Sequence, residues 1–322
     1  MNNPKSRDVL GRTNLPQNRF KTATAGFDLP HVCSDDKLRR ILSGTLKSRL
    51  GNHSVSPEFG NYQYWNAPYF GLQKVNIFQD SSVEEQAEIL RLCSCGLLEE
   101  AYFVEKAGVG YMAKMVLLAE TTEERMLYGL FSAEEVTHLS QISSFLPIQE
   151  PAGTDNAFLR FLGDLVETED KTVLLFVIQV VLEGWGLSHY KNLAKDCLNH
   201  HLSKILNQFL QDEARHHNTA VNLFNQRQVS ETSREVIIES LALFLQMIQV
   251  GPQSVVAAVE KVKGHLSRQQ KVRIFLEIDT ETHSGTRLNF LRSLMRDPKA
   301  RIIVQELEER GAFLPFPPEK CV

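Results

Sequence analysis

Two tetrads of the form Glu-x-x-His stand in this sequence, Glu135-Val-Thr-His138 and Glu213-Ala-Arg-His216. Glutamate and histidine three apart on a helix lie about 60° apart around its axis and one turn along it, so both side chains can reach one metal ion. Each tetrad follows, 30 residues later, a glutamate set in apolar sequence, Glu105 or Glu183. Four carboxylates and two imidazoles form a donor set that holds two divalent transition-metal ions between helices. Glu105, Glu135, His138, Glu183, Glu213 and His216 are therefore the candidate metal ligands, and through the metal the candidate catalytic residues.

That chemistry requires helices whose turns bring the six residues together. Ser82-x-x-Glu85 and Thr121-x-x-Glu124 are capping boxes, opening predicted helices over 82–118 and 121–146, the second stopping before Pro147. A short amphipathic helix follows over 155–166. Residues 173–181 crowd Val and Ile as a strand would, but the length and polar continuation of 170–196 predict a deeply buried helix. A turn near Asn199 leads into a helix over 201–226. Antiparallel helices joined by a short loop bring together residues equally far from that loop. Residue 120 is the midpoint of Glu105 and Glu135, and residue 198 is the midpoint of Glu183 and Glu213. Both midpoints fall beside turns placed from capping and composition. Each glutamate is thus about 15 residues, roughly 22 Å, from its own loop, and all four are expected at one level. Glu99 and Glu100 would sit about 7–9 Å off that level; Glu100 is the alternative to Glu105 as ligand.

Burial adds to this reading. Glu183 follows Val-Ile-Gln-Val-Val-Leu, and Glu105 shares a helix face with Leu98, Ala101, Tyr102, Val109 and Met112. A buried carboxylate needs a compensating cation or takes up a proton. Gly184 and Gly186 beside Glu183, and Gly108 and Gly110 beyond Glu105, are weak helix formers expected to leave room for metal, oxygen or substrate. Gln179, one turn before Glu183, is read either as a partner of a ligand or as an ordinary buried amide. Glu134 and Asp212 are supporting or surface groups, and Arg215 pairs with a carboxylate such as Asp212 or is exposed. His189 and His217 point to other faces than the ligands, and His200 and His201 lie at a loop end.

The chain of 322 residues is 43% hydrophobic and 23% charged, the balance of a globular protein, and its net charge of −4 argues against a nucleic-acid partner. No continuous apolar stretch reaches the roughly 18–20 residues of a membrane span, and the N-terminus has no apolar signal region. Cys33, Cys93, Cys95, Cys197 and Cys321 are odd in number and scattered, which fits a reducing, cytoplasmic setting rather than a disulfide scaffold. Residues 1–80 read as a loop-rich extension with one helix over 35–49, punctuated by Pro57, Gly60, Pro68 and Gly71, its aromatic run 62–70 packing on the four helices of 81–228. Further helices over 232–249, 252–262, 267–279, 283–295 and 299–309 form a C-terminal extension, 229–322, of the same domain.

Over residues 82–226 the sequence resembles the ferritin-like di-iron carboxylate superfamily. Glu134-Glu135-Val-Thr-His138 and Asp212-Glu213-Ala-Arg-His216 look like the E-E-x-x-H and D-E-x-R-H motifs of its oxygen-activating members, among them soluble acyl desaturases and arylamine N-oxygenases. The resemblance implies an all-α fold, a ferritin-like four-helix bundle with additional N- and C-terminal helices and loops. It implies two Fe2+ ions, manganese being the alternative, with Glu105, Glu135 and His138 at one and Glu183, Glu213 and His216 completing the pair. Glu135 and Glu213 would bridge. It further implies reduction of O2 to an oxidant that attacks a small or carrier-borne organic substrate, with electrons from an external donor, from the substrate or in a single turnover; a homodimer is compatible. Ile142 stands where a radical tyrosine would follow His138 in ribonucleotide reductase small subunits, and Phe209 where arylamine N-oxygenases carry a seventh ligand. A di-manganese catalase-type protein and a non-catalytic helical scaffold are the other readings.

Overall fold

Helix follows from the sequence almost everywhere that capping and period predict it. The computed structural model describes residues 23–33, 35–50, 62–147 and 156–322, and among them there is no strand. The N-terminal residues, Pro57, Gly60 and the loop Pro151-Ala-Gly153 lie outside the described residues. Helix α1 (Lys37–Leu50) is largely exposed. Helix α2 (Val83–Leu118) opens on a reciprocal capping box: the Ser82 hydroxyl accepts the Glu85 amide, and the Glu85 carboxylate accepts the Ser82 amide at 2.9 Å. Helix α3 (Thr122–Ser143) is capped by Thr121, whose hydroxyl accepts the Glu124 amide at 3.1 Å. It ends three residues short of the predicted 146. Helices α4 (Ala157–Val166), α5 (Lys171–Asp196) and α6 (His200–Asn225) follow, the last capped by Asn199 as the turn there predicts.

The C-terminal third supplies α7 (Glu231–Gln249), α8 (Gln253–Lys263), α9 (Arg268–Glu277), α10 (Thr280–Leu294) and α11 (Arg301–Glu309). Helix α10 begins at Thr280 rather than at 283. A single left-handed residue, Asp279 at φ 53°, makes the break from α9, where the sequence offers no glycine.

Helices α2 and α3 pack as a hairpin across 119–121, and α5 and α6 as another across 197–199; α3 meets α6. Helix α4 lies on α2 and α7, α8 covers α2, and α10 packs on α5, so the C-terminal helices share one core with the two hairpins. The aromatic segment is seated by directed bonds as well as by area. Trp65 is fully buried and donates its indole N–H to the Leu193 carbonyl at 2.9 Å, while Tyr64 donates its hydroxyl to the Phe145 carbonyl at 2.8 Å.

Helix α5 departs from ordinary winding. Ten residues, Leu174–Glu183, are π-helical, and nine of them are buried. A helix apolar all round belongs in a core or a membrane. By length and composition α5 is long and apolar enough to cross a membrane, but 67% of its most apolar window is buried within the protein. Its β-branched run is thus core helix. All five cysteines are free.

Candidate dinuclear metal centre

The two tetrads face each other across the α3–α6 contact. His138 Nδ1 lies 3.2 Å from Glu105 Oε2, 3.8 Å from Glu135 Oε2 and 3.5 Å from Glu213 Oε1. His216 Nδ1 lies 3.3 Å from Glu135 Oε1 and 3.5 Å from Glu213 Oε2. Glu135 and Glu213 each turn one oxygen to one histidine and the second oxygen to the other. Donor atoms of Glu105, Glu135, His138 and Glu213 fall within 4.8 Å of one another, and so do those of Glu183, Glu213 and His216. Donors on one first-row ion at about 2.1 Å stand about 3–4 Å apart, and the histidine–carboxylate distances fall in that range. Glu100, the alternative to Glu105, is outside both groups and accepts a hydrogen bond from Asn156 Nδ2 at 2.7 Å.

The far nitrogens are held across the hairpins. His138 Nε2 lies 3.0 Å from Asp212 Oδ2, and His216 Nε2 lies 2.9 Å from Glu134 Oε2. Arg215 joins those carboxylates, bonding Glu134 Oε1 at 2.7 Å and also Asp212 Oδ1. An imidazole that donates Nε2–H to a carboxylate leaves its Nδ1 lone pair free to ligate. Phe209 packs on the His138 ring with centroids 3.9 Å apart, and Phe131 on His216 at 4.3 Å. Phe209 is thus a wall against which the His138 ring is held.

Protonation shows how much positive charge the cluster calls for. Burial opposes charge on His138, but hydrogen bonds to Asp212, Glu105, Glu135 and Glu213 overcome it and raise its pKa well above the ordinary value. His216 is raised in the same way, burial being outweighed by Glu134, Glu135 and Glu213. Glu105 is pushed up to about 8 by burial and then by the Glu135 charge. Glu183 is raised by burial and by Glu213. Burial also acts to raise Glu135, yet the close approach of both histidines holds it below the usual carboxylate range. Two observations fit the donor set to metal: Glu183 Oε2 and His216 Nδ1 are buried with no hydrogen-bond partner among the described residues. Both belong to the second group.

The glycines divide by role. A Cβ on Gly108 would lie 2.7 Å from Glu135 Oε2, so this glycine admits the Glu135 carboxylate against α2. Gly110 and Gly184 instead admit protein, the Thr24 carbonyl and the His217 ring, and only Gly186 of the four opens on free space. Gln179 accepts the Tyr128 hydroxyl at 2.7 Å, and its carbonyl meets His217 Nδ1 at 2.9 Å.

Two site residues were missed in the sequence. Tyr190 donates its hydroxyl to Glu105 Oε1; it lies seven residues after Glu183, two turns along the same face, and that spacing is the signal. His189 was set aside as facing elsewhere, yet it lines the cavity beside the carboxylates. That cavity, of about 120 Å3, lies between α2, α4 and α5. Glu105, Glu135, Glu183 and Glu213 line it together with Leu162, Ile178 and other apolar side chains.

Comparisons with models of known families, with curated proteins and with solved structures found no match.

Proposed function

We propose that the chain is a ferritin-like di-iron oxidoreductase, in which α2, α3, α5 and α6 form the four-helix bundle and O2 is used to oxidise an organic substrate. The observation that carries this reading is the division of the Glu135 and Glu213 oxygens between the two histidine Nδ1 atoms. Carboxylates so placed would be shared between two metal ions, with Glu105 and His138 holding one and Glu183 and His216 holding the other.

When bound, two ferrous ions supply the electrons that O2 reduction needs. The chain's own residues supply the rest. Glu134, Asp212 and Arg215 fix the tautomer and tilt of both imidazoles. Phe131 and Phe209 keep water from the rings, and Tyr190 fixes the Glu105 oxygen that it binds. The apolar cavity holds the substrate against the Glu105–Glu183 side and excludes bulk water from it.

Anaerobic titration of metal-free protein with Fe2+, followed by elemental analysis and oxygen-electrode measurement, tests the reading. Two irons per chain and oxygen uptake are expected, both lost in Glu135→Ala and Glu213→Ala. Absence of bound metal, or variants with undiminished binding and uptake, would overturn it. Iron and manganese share these donors; metal content after expression in balanced medium, with a peroxide dismutation assay, decides between them.

A further inference from the structure

Helix α1 stands apart from the two hairpins and the helices that cover them. The chain leading to it is fastened to the core. The Thr24 amide donates to Glu167 Oε1 at 2.8 Å, Lys106 Nζ donates to the Leu29 carbonyl at 3.0 Å, and His31 Nε2 lies 2.6 Å from the Tyr102 hydroxyl. The helix begins at Lys37, and among the described residues no other helix packs along it. A helix of 14 residues with Gly44 at its middle is marginal in water by itself. A surface that covers its apolar side would supply the missing stability.

That apolar side is defined by the helical period. Leu38, Ile41 and Leu42 fall within an arc of about 100°, and they are 61%, 56% and 49% exposed. Lys37 and Arg39 flank the arc, about 100° to either side of Leu38, and Arg40 and Lys47 stand opposite it. With Arg49 the helix carries five cations and no carboxylate, in a chain whose formal net charge is −4. Lys37, Arg40, Lys47 and Arg49 form no salt bridge among the described residues. An anionic bilayer is the complement of this pattern. Its phosphates meet the cations on both borders while the apolar arc enters the acyl boundary. A protein groove reads anchors at i, i+3 or i+4, and i+7. Here the positions that continue the centre of the arc are Thr45 and Arg49, so the apolar strip is too short for a groove. Shallow burial reinforced by charge suits a lipid surface instead.

We propose that α1 docks the protein on an anionic phospholipid surface, lying in the plane of the interface. Leu38, Ile41 and Leu42 face the acyl chains, and the five cations lie among the phosphates. The proposal is independent of the metal centre, because α1 carries none of its donors.

Co-sedimentation of the full chain with phosphatidylcholine vesicles, with and without phosphatidylglycerol, tests this. Binding is expected to be at least about tenfold tighter with the anionic lipid and to fall as salt is raised. Arg40→Gln and Lys47→Gln should each weaken it about 5-fold. Ile41→Gln and Leu42→Gln should each weaken it about 10-fold. All four side chains are exposed, so thermal unfolding of the variants should match that of the parent chain. Absence of vesicle binding, or equal binding to both kinds of vesicle, would overturn the proposal. Binding that survives both apolar substitutions would also overturn it, by showing adsorption through charge alone. Retention on immobilised polyglutamate without vesicle binding would assign α1 to an acidic protein partner and overturn it as well.

Discussion

His138 on α3 and Asp212 on α6 hold each other across the two hairpins, Nε2 to Oδ2 at 3.0 Å, and His216 and Glu134 repeat the relation in the opposite direction at 2.9 Å. The tetrads are thus crossed: each histidine takes its orienting carboxylate from the other motif. Removing that carboxylate's charge frees the imidazole to rotate and to change tautomer. Asp212→Asn and Glu134→Gln are each expected to weaken metal binding about 10- to 100-fold while the helical signal is kept. Competition against a chelator of known affinity measures it, and unchanged affinity in both variants would show that the crossed pairs are not orienting ligands.

Gly108 and Gly96 lie on the same helix and make opposite predictions. An alanine Cβ at 108 would press on Glu135 Oε2 at 2.7 Å, where the carboxylate is already fixed by both histidines. Gly108→Ala is expected to displace Glu135 and reduce metal affinity by at least about tenfold, as for loss of an orienting contact. A Cβ at 96 meets nothing within 4 Å, and that residue is exposed. Gly96→Ala should leave metal binding unchanged and stabilise by about 0.5–1 kcal/mol through backbone entropy. Thermal unfolding of the two variants, with and without added metal, separates these effects.

Much of this was legible before any coordinates, and the residues show why. Ser82, Thr121 and Asn199 carry local chemistry that fixes where helices begin, and the loop midpoints then place Glu105 rather than Glu100 level with Glu135. The repeat seen in the two tetrads also extends further upstream: Phe131-Ser-Ala-Glu134-Glu135-Val-Thr-His138 matches Phe209-Leu-Gln-Asp212-Glu213-Ala-Arg-His216 at the aromatic ring, the acid before the tetrad glutamate, that glutamate and the histidine. What could not be read depends on tertiary packing. The π-winding of Leu174–Glu183 leaves no signature in a run that is buried on every side. The use of Gly110 depends on the Thr24 carbonyl, 86 residues away in sequence. Asp279 in the left-handed region breaks a helix where no glycine marks the place.

Metal binding should release protons. The raised pKa values of His138 and His216 mean that, in metal-free protein at neutral pH, both rings carry the extra proton, and a ligand imidazole must lose it. Glu105, pushed up to about 8, gives up a proton as well. The sign is therefore fixed: apparent metal affinity rises with pH through neutrality, with at least about two protons released per chain filled. Calorimetry in buffers of different ionisation enthalpy counts them. An affinity independent of pH between about 6 and 8, where both rings are still protonated before metal enters, would contradict the assignment of the two rings as ligands.

His189 gives the opposite pH signature. Burial first, and the Arg287 charge second, push it down to about 4, whereas the unfolded chain titrates near the ordinary value of about 6.5. Between those values the unfolded chain binds a proton that the folded chain does not. The stability that neutral His189 contributes is therefore fully present above about pH 6.5 and is lost as pH falls toward about 4. His189→Gln should flatten the fall in Tm across that window relative to the parent chain. Arg287→Gln, by lifting the folded-state pKa of His189, should flatten it in part. The comparison of the three proteins isolates His189 from the carboxylates that titrate in the same range. Parallel Tm profiles for all three would show that His189 is not held neutral by this corner of the fold.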